Sequence, residues 1–197
     1  MFKFSSGVYS RLALGSGLLL LSLVTSCGTC DKCVTGNGGH FAVVGKASDT
    51  TKASFEKLKT LAGTWQMENP EKKGEWNDAI TFSVTSGGNV VREIMFAGAP
   101  HEMTNTYHLD GDSIVVTHYC AVGNQPTMRA TTSNQNGNTM HFVFDHVSNY
   151  TGSDQTVMCD LTLTLNSADT INENWKSCVD GKLTDQHNVG IELRRKK

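Results

Sequence analysis

The sequence predicts a closed, up-and-down antiparallel β-barrel of about ten strands, preceded by one short helix. First, Thr, Ser, Asn and Gly are abundant while only 18% of the residues are charged, a balance that favours strands and turns over helices. Second, strand-like runs recur at near-regular spacing after residue 63, separated by turn residues such as Asp110-Gly111-Asp112. Such a meander is expected to close, because closure removes exposed sheet edges. A two-sheet sandwich is the alternative.

The N-terminal segment resembles a bacterial export signal that ends in a lipidation site. Lys3 and Arg11 precede an apolar run that ends at Val24, and this run is shorter than the about 20 residues that a membrane-spanning helix needs. Val24-Thr25-Ser26-Cys27 resembles the lipobox of bacterial lipoproteins. The resemblance implies that a diacylglycerol joins the sulfur of Cys27 and that residues 1–26 are removed. An ordinary secretory signal with a coincidental cysteine is the alternative.

Lipidation of Cys27 would anchor the protein to a membrane of the bacterial cell envelope. Residue 28 is Gly rather than the Asp that retains enteric lipoproteins at the inner membrane, which favours an outer-membrane location facing the periplasm. Residues 27–50 are rich in glycine and predict a flexible tether, and residues 51–197 hold the barrel. After cleavage, the 17 basic residues less Lys3 and Arg11 stand against 19 acidic ones, a net charge of −4 without a basic stripe. This charge argues against nucleic acid as a partner.

Local patterns predict each element of the barrel domain. Phe55, Leu58 and Leu61 share one helical face, so a short helix is expected over 51–62, with Thr50 or Thr51 capping it. Ten strand-like runs follow, at roughly 64–68, 79–85, 89–96, 101–109, 113–121, 126–133, 138–145, 157–166, 169–178 and 183–194.

A helix that leads into Gly63-Thr64-Trp65 and then into a β-meander resembles the lipocalin and calycin superfamily, in which the Trp closes one barrel end. Ten strands also occur in fatty-acid-binding proteins and in nitrobindin-type haem proteins. Three blocks resemble a bacterial lipocalin-like family of unknown function: Pro100-His101-Glu102-Met103, Thr117-His118-Tyr119-Cys120 and Gly123-Asn124-Gln125-Pro126. The resemblance implies a fold and assigns no activity.

Strand parity predicts which side chains face the interior, because successive residues of a strand point to opposite faces. A turn at Gly87-Gly88 pairs Phe82 with Glu93 and directs Glu93 inward. A hairpin through Asp110-Gly111 pairs Asn105 with His118 and places His101 opposite Cys120. The predicted interior therefore has an aliphatic majority and a polar minority, namely Glu93, His101, Tyr107, His118 and Cys120, with His187 of the last strand as a further candidate.

A buried carboxylate is costly unless it is paired, so this polar minority predicts either a satisfied cluster or a ligand site. We expect the barrel to bind a small hydrophobic or amphipathic molecule that Glu93, His101, Tyr107, His118 and Cys120 orient. The alternative is a barrel filled by its own side chains, which serves as a structural or protein-interaction module of the envelope.

Haem, metal and catalysis are lesser alternatives. Nitrobindin-type barrels hold haem through a histidine on the last strand, where His187 lies, and His101, His118 and Glu93 could ligate a divalent metal. Neither set has a tight ligand spacing, so no cofactor and no metal site are predicted. His118 and Cys120 share a face, as a base and a nucleophile would, but a mid-strand thiol lacks the positive surroundings that activate cysteine. No catalytic residue is predicted.

The remaining cysteines leave several pairings open. Cys30 and Cys33 form a CxxC close to the lipid anchor, where a local disulfide or idle thiols are favoured over a redox or metal site. Cys159 and Cys178 lie on adjoining predicted strands, but strand parity places them on opposite faces. A bulge or a strand end would allow them to pair.

Overall fold

Antiparallel strand pairing runs around the whole domain and closes it into a barrel. The computed structural model describes residues 45–152 and 155–197. Its elements are α1 (Asp49–Lys59), β1 (Gly63–Glu68), β2 (Trp76–Thr85), β3 (Val90–Met95), β4 (Met103–Asp110), β5 (Ser113–Tyr119), β6 (Gln125–Thr131), β7 (Gln135–Asn136), β8 (Thr139–Ser148), β9 (Val157–Leu165), β10 (Thr170–Val179) and β11 (Lys182–Arg195).

Consecutive strands pair with one another from β1 through to β6, and again from β8 through to β11. Pairing of β1 with β11 and of β6 with β8 joins the two runs into a ring. Ten strands form the wall, and the two-residue β7 lies beside β8. The predicted ten-stranded antiparallel barrel is confirmed, and it is consistent with a lipocalin or calycin-like fold.

Several predicted features lie outside the described residues. These are the signal segment 1–26, the lipidation site Cys27, the pair Cys30 and Cys33, and most of the tether 27–50. Among residues 45–152 and 155–197, no helix combines the length and the hydropathy that a membrane crossing requires.

The helix α1 begins earlier than its sequence pattern suggested. Ser48 is the N-cap, and its hydroxyl accepts a hydrogen bond from the backbone N–H of Thr51 at 3.2 Å, so the predicted cap at Thr50 or Thr51 is wrong. Thr51 is instead fully buried, and its hydroxyl lies 3.2 Å from that of Thr132. The helix ends at Lys59, and Thr60 forms its C-cap. The backbone N–H of Ser48 donates to Asp112, which ties the helix start to the β4–β5 turn.

Trp65 lies where α1 meets the end of the barrel. Its side chain is fully buried, and its indole N–H donates to the carbonyl of Leu61 at 2.8 Å. The guanidinium of Arg195 covers the ring at 4.4 Å and donates to the carbonyls of Thr60 and Ala62. These contacts connect the first and last strands to the end of the helix, and the role of Trp65 that the lipocalin resemblance implied stays a prediction.

The interior is filled mainly by its own side chains. Full burial of an aliphatic or aromatic side chain contributes about 1.5–3 kcal/mol, so this packing is the main source of stability. The largest fully buried side chains are Trp65, Tyr107, Phe82, Phe142, Leu58, Leu61, Ile80, Ile114, Met128, Leu161, Leu163 and Ile171.

A β-bulge decides the pairing of two cysteines. Lys176 of β10 pairs with Asp160, but Ser177 pairs with Met158, so Cys159 is an extra residue on β9. This shift moves Cys159 out of the regular alternation and lets it form a disulfide with Cys178, with a Cα–Cα distance of 5.8 Å. The parity objection to this disulfide is therefore wrong, because a bulge intervenes.

Candidate functional site

Three neighbouring strands bring a set of polar side chains into the interior. Glu93 on β3 pairs with Phe82 on β2 and with Asn105 on β4, and Asn105 pairs with His118 on β5. Glu93, Asn105 and Tyr107 are fully buried, and His118 is 2% exposed. Their inward direction agrees with the parity prediction. Their predicted role in binding a ligand stays a prediction.

Glu93 is held by two short hydrogen bonds. The amide nitrogen of Asn105 and the hydroxyl of Tyr107 both donate to Oε2 of Glu93 at 2.7 Å. Because a carboxylate accepts and an amide or phenol donates, these contacts partly offset the cost of burying the acid.

A second buried carboxyl, Glu173 on β10, was missed by the sequence analysis. It is fully buried, and the indole N–H of Trp175 donates to its Oε2 at 3.0 Å. Parity offers the signal that would have found it. Ile171 and Trp175 both point inward, so Glu173 between them shares their face.

The two carboxyl groups perturb one another. Burial raises the pKa of Glu93 to about 7, although the hydrogen bonds from Asn105 and Tyr107 act in the opposite direction. Burial, together with the negative charge of Glu93, raises the pKa of Glu173 well above its ordinary value. The Oε1 atoms of both residues have no hydrogen-bond partner among the described groups. The pair therefore retains at least one proton at neutral pH.

The hydrogen-bond network also determines the protonation of His118. Asn105 uses its nitrogen on Glu93, so its Oδ1 must accept the 2.7 Å hydrogen bond that joins it to Nδ1 of His118. Nδ1 therefore carries the proton. Burial lowers the pKa of His118 to about 4, so the ring is neutral and Nε2 has a free lone pair. Within the described chain, no hydrogen-bond partner reaches Nε2.

Next to this network lies a small cavity of about 100 Å³. Its wall combines His118 and Trp175, whose ring centroids are 5.0 Å apart, with sulfur-containing and aliphatic side chains. The remaining lining residues are Met95, Phe96, Met103, Met158, Val189 and Ile191. The cavity has room for only a few atoms.

The other predicted site residues lie outside this network. His101 is exposed in the turn before β4, where its ring packs on Phe96 at 5.1 Å. Cys120 is half-buried after the end of β5 and carries a free thiol. His187 is exposed on β11. The predicted interior position is wrong for His101 and His187, because β4 begins only at Met103 and because pairing of β10 with β11 shifts register after Trp175.

A larger concave region opens in the barrel wall between β8 and β9. The two strands pair only as far as Val143 and Asp160; beyond these residues β8 continues beside β6 and β9 beside β10. The resulting cleft has a volume of about 700 Å³. We call it the β8–β9 cleft, and its lining residues are Val143, Phe144, Val147, Tyr150, Val157, Cys159, Asp160, Cys178, Asp180, Gly181 and Leu183.

The cleft is mostly apolar, and its lining includes two aspartates. Phe144 is 46% exposed, Tyr150 41% and Leu183 64%, although burial would favour all three. Asp160 is buried and lies 2.6 Å from Nε2 of His141, whereas Asp180 is exposed. Its shape and charge suit a molecule with an apolar body and a neutral or positive polar end.

No family model matches this chain, and none of the curated proteins matches it either. Among the residues that the structure describes, no three His, Cys, Asp or Glu side chains are grouped in a way that could hold a metal ion. The candidate functional sites of the described residues are therefore the cleft, the small cavity and the buried network.

Proposed function

We propose that this protein is a lipid-anchored lipoprotein of the bacterial cell envelope that binds a small amphipathic molecule. The ligand occupies the β8–β9 cleft rather than the centre of the barrel. The single observation that carries this proposal is the 700 Å³ apolar cleft with its exposed side chains, in a barrel whose interior is otherwise filled.

The chemistry of the cleft limits the class of ligand that it can bind. An apolar chain would cover Phe144, Tyr150 and Leu183, and its polar end would lie near Asp160 or Asp180. A carboxylate end would be repelled by these acids, while an amine would be attracted. Lipidation of Cys27 supports this function, because a tether to the membrane keeps the domain near a source of amphipathic molecules.

A matched set of probes tests the ligand class. Dodecylamine, dodecanol and dodecanoate share one chain length and differ only in the polar end. We expect dodecylamine to raise the melting temperature most and dodecanoate least, since the lining of the cleft carries the exposed carboxylate of Asp180. No stabilisation by any of the three at saturating, submicellar concentration would contradict the proposal.

A pair of variants tests the location. Val143 lines the cleft and Val84 on β2 does not, yet both are 40% exposed valines on strands. Val143→Ser is expected to weaken dodecylamine binding by about fivefold, from the loss of apolar contact, and Val84→Ser to leave it unchanged. Equal effects of both substitutions would place the ligand elsewhere.

The exposed apolar residues of the cleft also favour a second candidate, a protein-interaction module whose partner covers Phe144 and Leu183. Stabilisation by the dodecyl probes separates the two candidates. A protein interface has no reason to distinguish an amine from a carboxylate on the same short chain.

A further inference from the structure

Three methionines converge on the small interior cavity. Met95 on β3 and Met103 on β4 are direct register partners, so their side chains lie next to each other on one face of the sheet. Met158 reaches the same cavity from β9, close to the bulge at Cys159. The three methionines therefore come from three different strands and line the same cavity as the imidazole of His118.

The lone pair on Nε2 of His118 accepts no hydrogen bond from the described residues. Its Nδ1–H is used on Asn105, and its buried Nε2 has no partner in the described part of the chain. This is the arrangement in which histidine binds metals, with one nitrogen held by an outer hydrogen bond and the other free as a donor of electrons.

Water satisfies Nε2 poorly at this position. A buried water molecule needs two to four polar partners. The cavity wall offers Nε2 of His118 and otherwise apolar groups, because the indole N–H of Trp175 is used on Glu173. A small ion that binds an imidazole nitrogen and thioether sulfurs together would fit this cavity and would satisfy Nε2.

We infer that the cavity lined by His118, Met95, Met103 and Met158 is a binding site for a soft monovalent cation, Cu(I). Thioether and imidazole ligands select Cu(I) over hard cations such as Mg²⁺ and Ca²⁺. The volume of about 100 Å³ admits a bare ion and excludes an organic cofactor such as haem.

The surroundings add to the attraction for a cation. The ring of Trp175 lies beside His118, and an aromatic face attracts a positive charge. Met95 also receives a weak hydrogen bond from Asn105, at 3.4 Å, so it is the fourth and weakest ligand of the set. Val189, which lines the cavity, is 41% exposed, so the site lies close to solvent.

The site is independent of the β8–β9 cleft, and its test uses different variants. The protein is the full chain with Cys27, Cys30, Cys33 and Cys120 replaced by serine, so that free thiols do not bind the metal. Ag(I) is the first probe, because it prefers the same soft ligands as Cu(I) and requires no reductant that would open the disulfide.

Methionine methyl NMR locates the bound ion. One equivalent of Ag(I) is expected to shift the methyl signals of Met95, Met103 and Met158. The signals of Met128 and Met140, which are core methionines that do not line the cavity, should stay in place and serve as internal controls. Unchanged signals, or shifts confined to methionines away from the cavity, would overturn the inference.

Competition with a chromogenic Cu(I) chelator measures the affinity. Replacing Met103 and Met158 by leucine keeps the side-chain volume and is expected to weaken Cu(I) binding by about tenfold or more. The matched double variant Met128→Leu and Met140→Leu should bind as tightly as the parent. Equal affinity in both double variants would show that the ion is bound elsewhere, for example by the exposed histidines.

Discussion

The interior around Glu93 buries polar side chains, whereas the wall between β8 and β9 exposes apolar ones. Inside, Glu93, Asn105 and His118 are buried and joined by hydrogen bonds of 2.7 Å, and the buried Glu173 accepts one of 3.0 Å from Trp175. In the wall, Phe144 and Leu183 are 46% and 64% exposed. Each region departs from the usual rule of apolar inside and polar outside, and such departures indicate sites.

The two regions are also stabilised differently. The hydrogen bonds of the network offset the cost of burying its polar groups. Removal of one partner leaves another buried polar group unpaired and destabilises the fold. The cleft lacks strand pairing between the ends of β8 and β9, and the disulfide between Cys159 and Cys178 lies in its lining. A covalent link thus strengthens the side of the barrel where the sheet is open.

Removal of the disulfide should give the largest effect on stability. Replacing Cys159 and Cys178 by alanine is expected to lower the free energy of unfolding by about 3 kcal/mol, because the cross-link restricts the unfolded chain. Amide exchange should rise in β9 and β10 near the cleft, while β3 to β5 keep their protection. Cys120→Ala, which removes a free thiol, is the control and should change little. A uniform loss of protection would contradict the proposed division.

Removal of the central amide of the network should have the next largest effect. Asn105→Leu leaves Nδ1 of His118 without a partner and removes one of the two hydrogen bonds to Glu93, since that from Tyr107 remains. The substitution is expected to cost about 2 kcal/mol in urea unfolding. Thr106→Val, one residue along the same strand and on the other face, is the control. Binding of dodecylamine in the cleft should persist in Asn105→Leu. Its loss would show that the two regions are coupled.

The smallest expected effect is the change in the free energy of unfolding with each pH unit. The raised pKa values of Glu93 and Glu173 mean that the folded protein keeps protons that the unfolded chain releases above its ordinary glutamate pKa of 4.5. Stability should therefore fall as the pH rises from about 4.5 toward 7. The lowered pKa of His118 acts oppositely: as the pH falls from 6.5 toward about 4, the unfolded chain binds a proton that the folded imidazole does not, so this contribution to stability is lost.

On unfolding between pH 5 and 6, the two carboxyls release about two protons and His118 takes up about one, so about one proton is released on balance. The free energy of unfolding is therefore expected to fall by about 1 kcal/mol per pH unit in this range. Replacing Glu93 and Glu173 together by glutamine should reverse the sign of this slope, leaving only the contribution of His118. Urea unfolding over a pH series measures it. A slope that the double variant does not alter would show that other groups control the pH dependence.

Much of the interior could be predicted from local patterns. The hairpin at Gly87-Gly88 and the alternation along β4 and β5 correctly placed Glu93, Tyr107 and His118 inside, because strand parity is a property of the backbone. The pattern failed for His101, because a turn replaces the strand there and parity has no meaning outside a strand. It failed for His187, because a register shift in β11 interrupts the alternation.

By itself, the sequence determined the pairing of successive strands and which residues of β3 to β5 face inward, since these follow from turns and a two-residue repeat. Only the tertiary structure decided that the sheet closes into a barrel rather than a sandwich, that Glu173 is buried and perturbs Glu93, that three methionines line one cavity with His118 and that β8 separates from β9. These features depend on bulges and on contacts between distant strands. A bulge shifts register by one residue, and no periodic pattern in the sequence encodes its position.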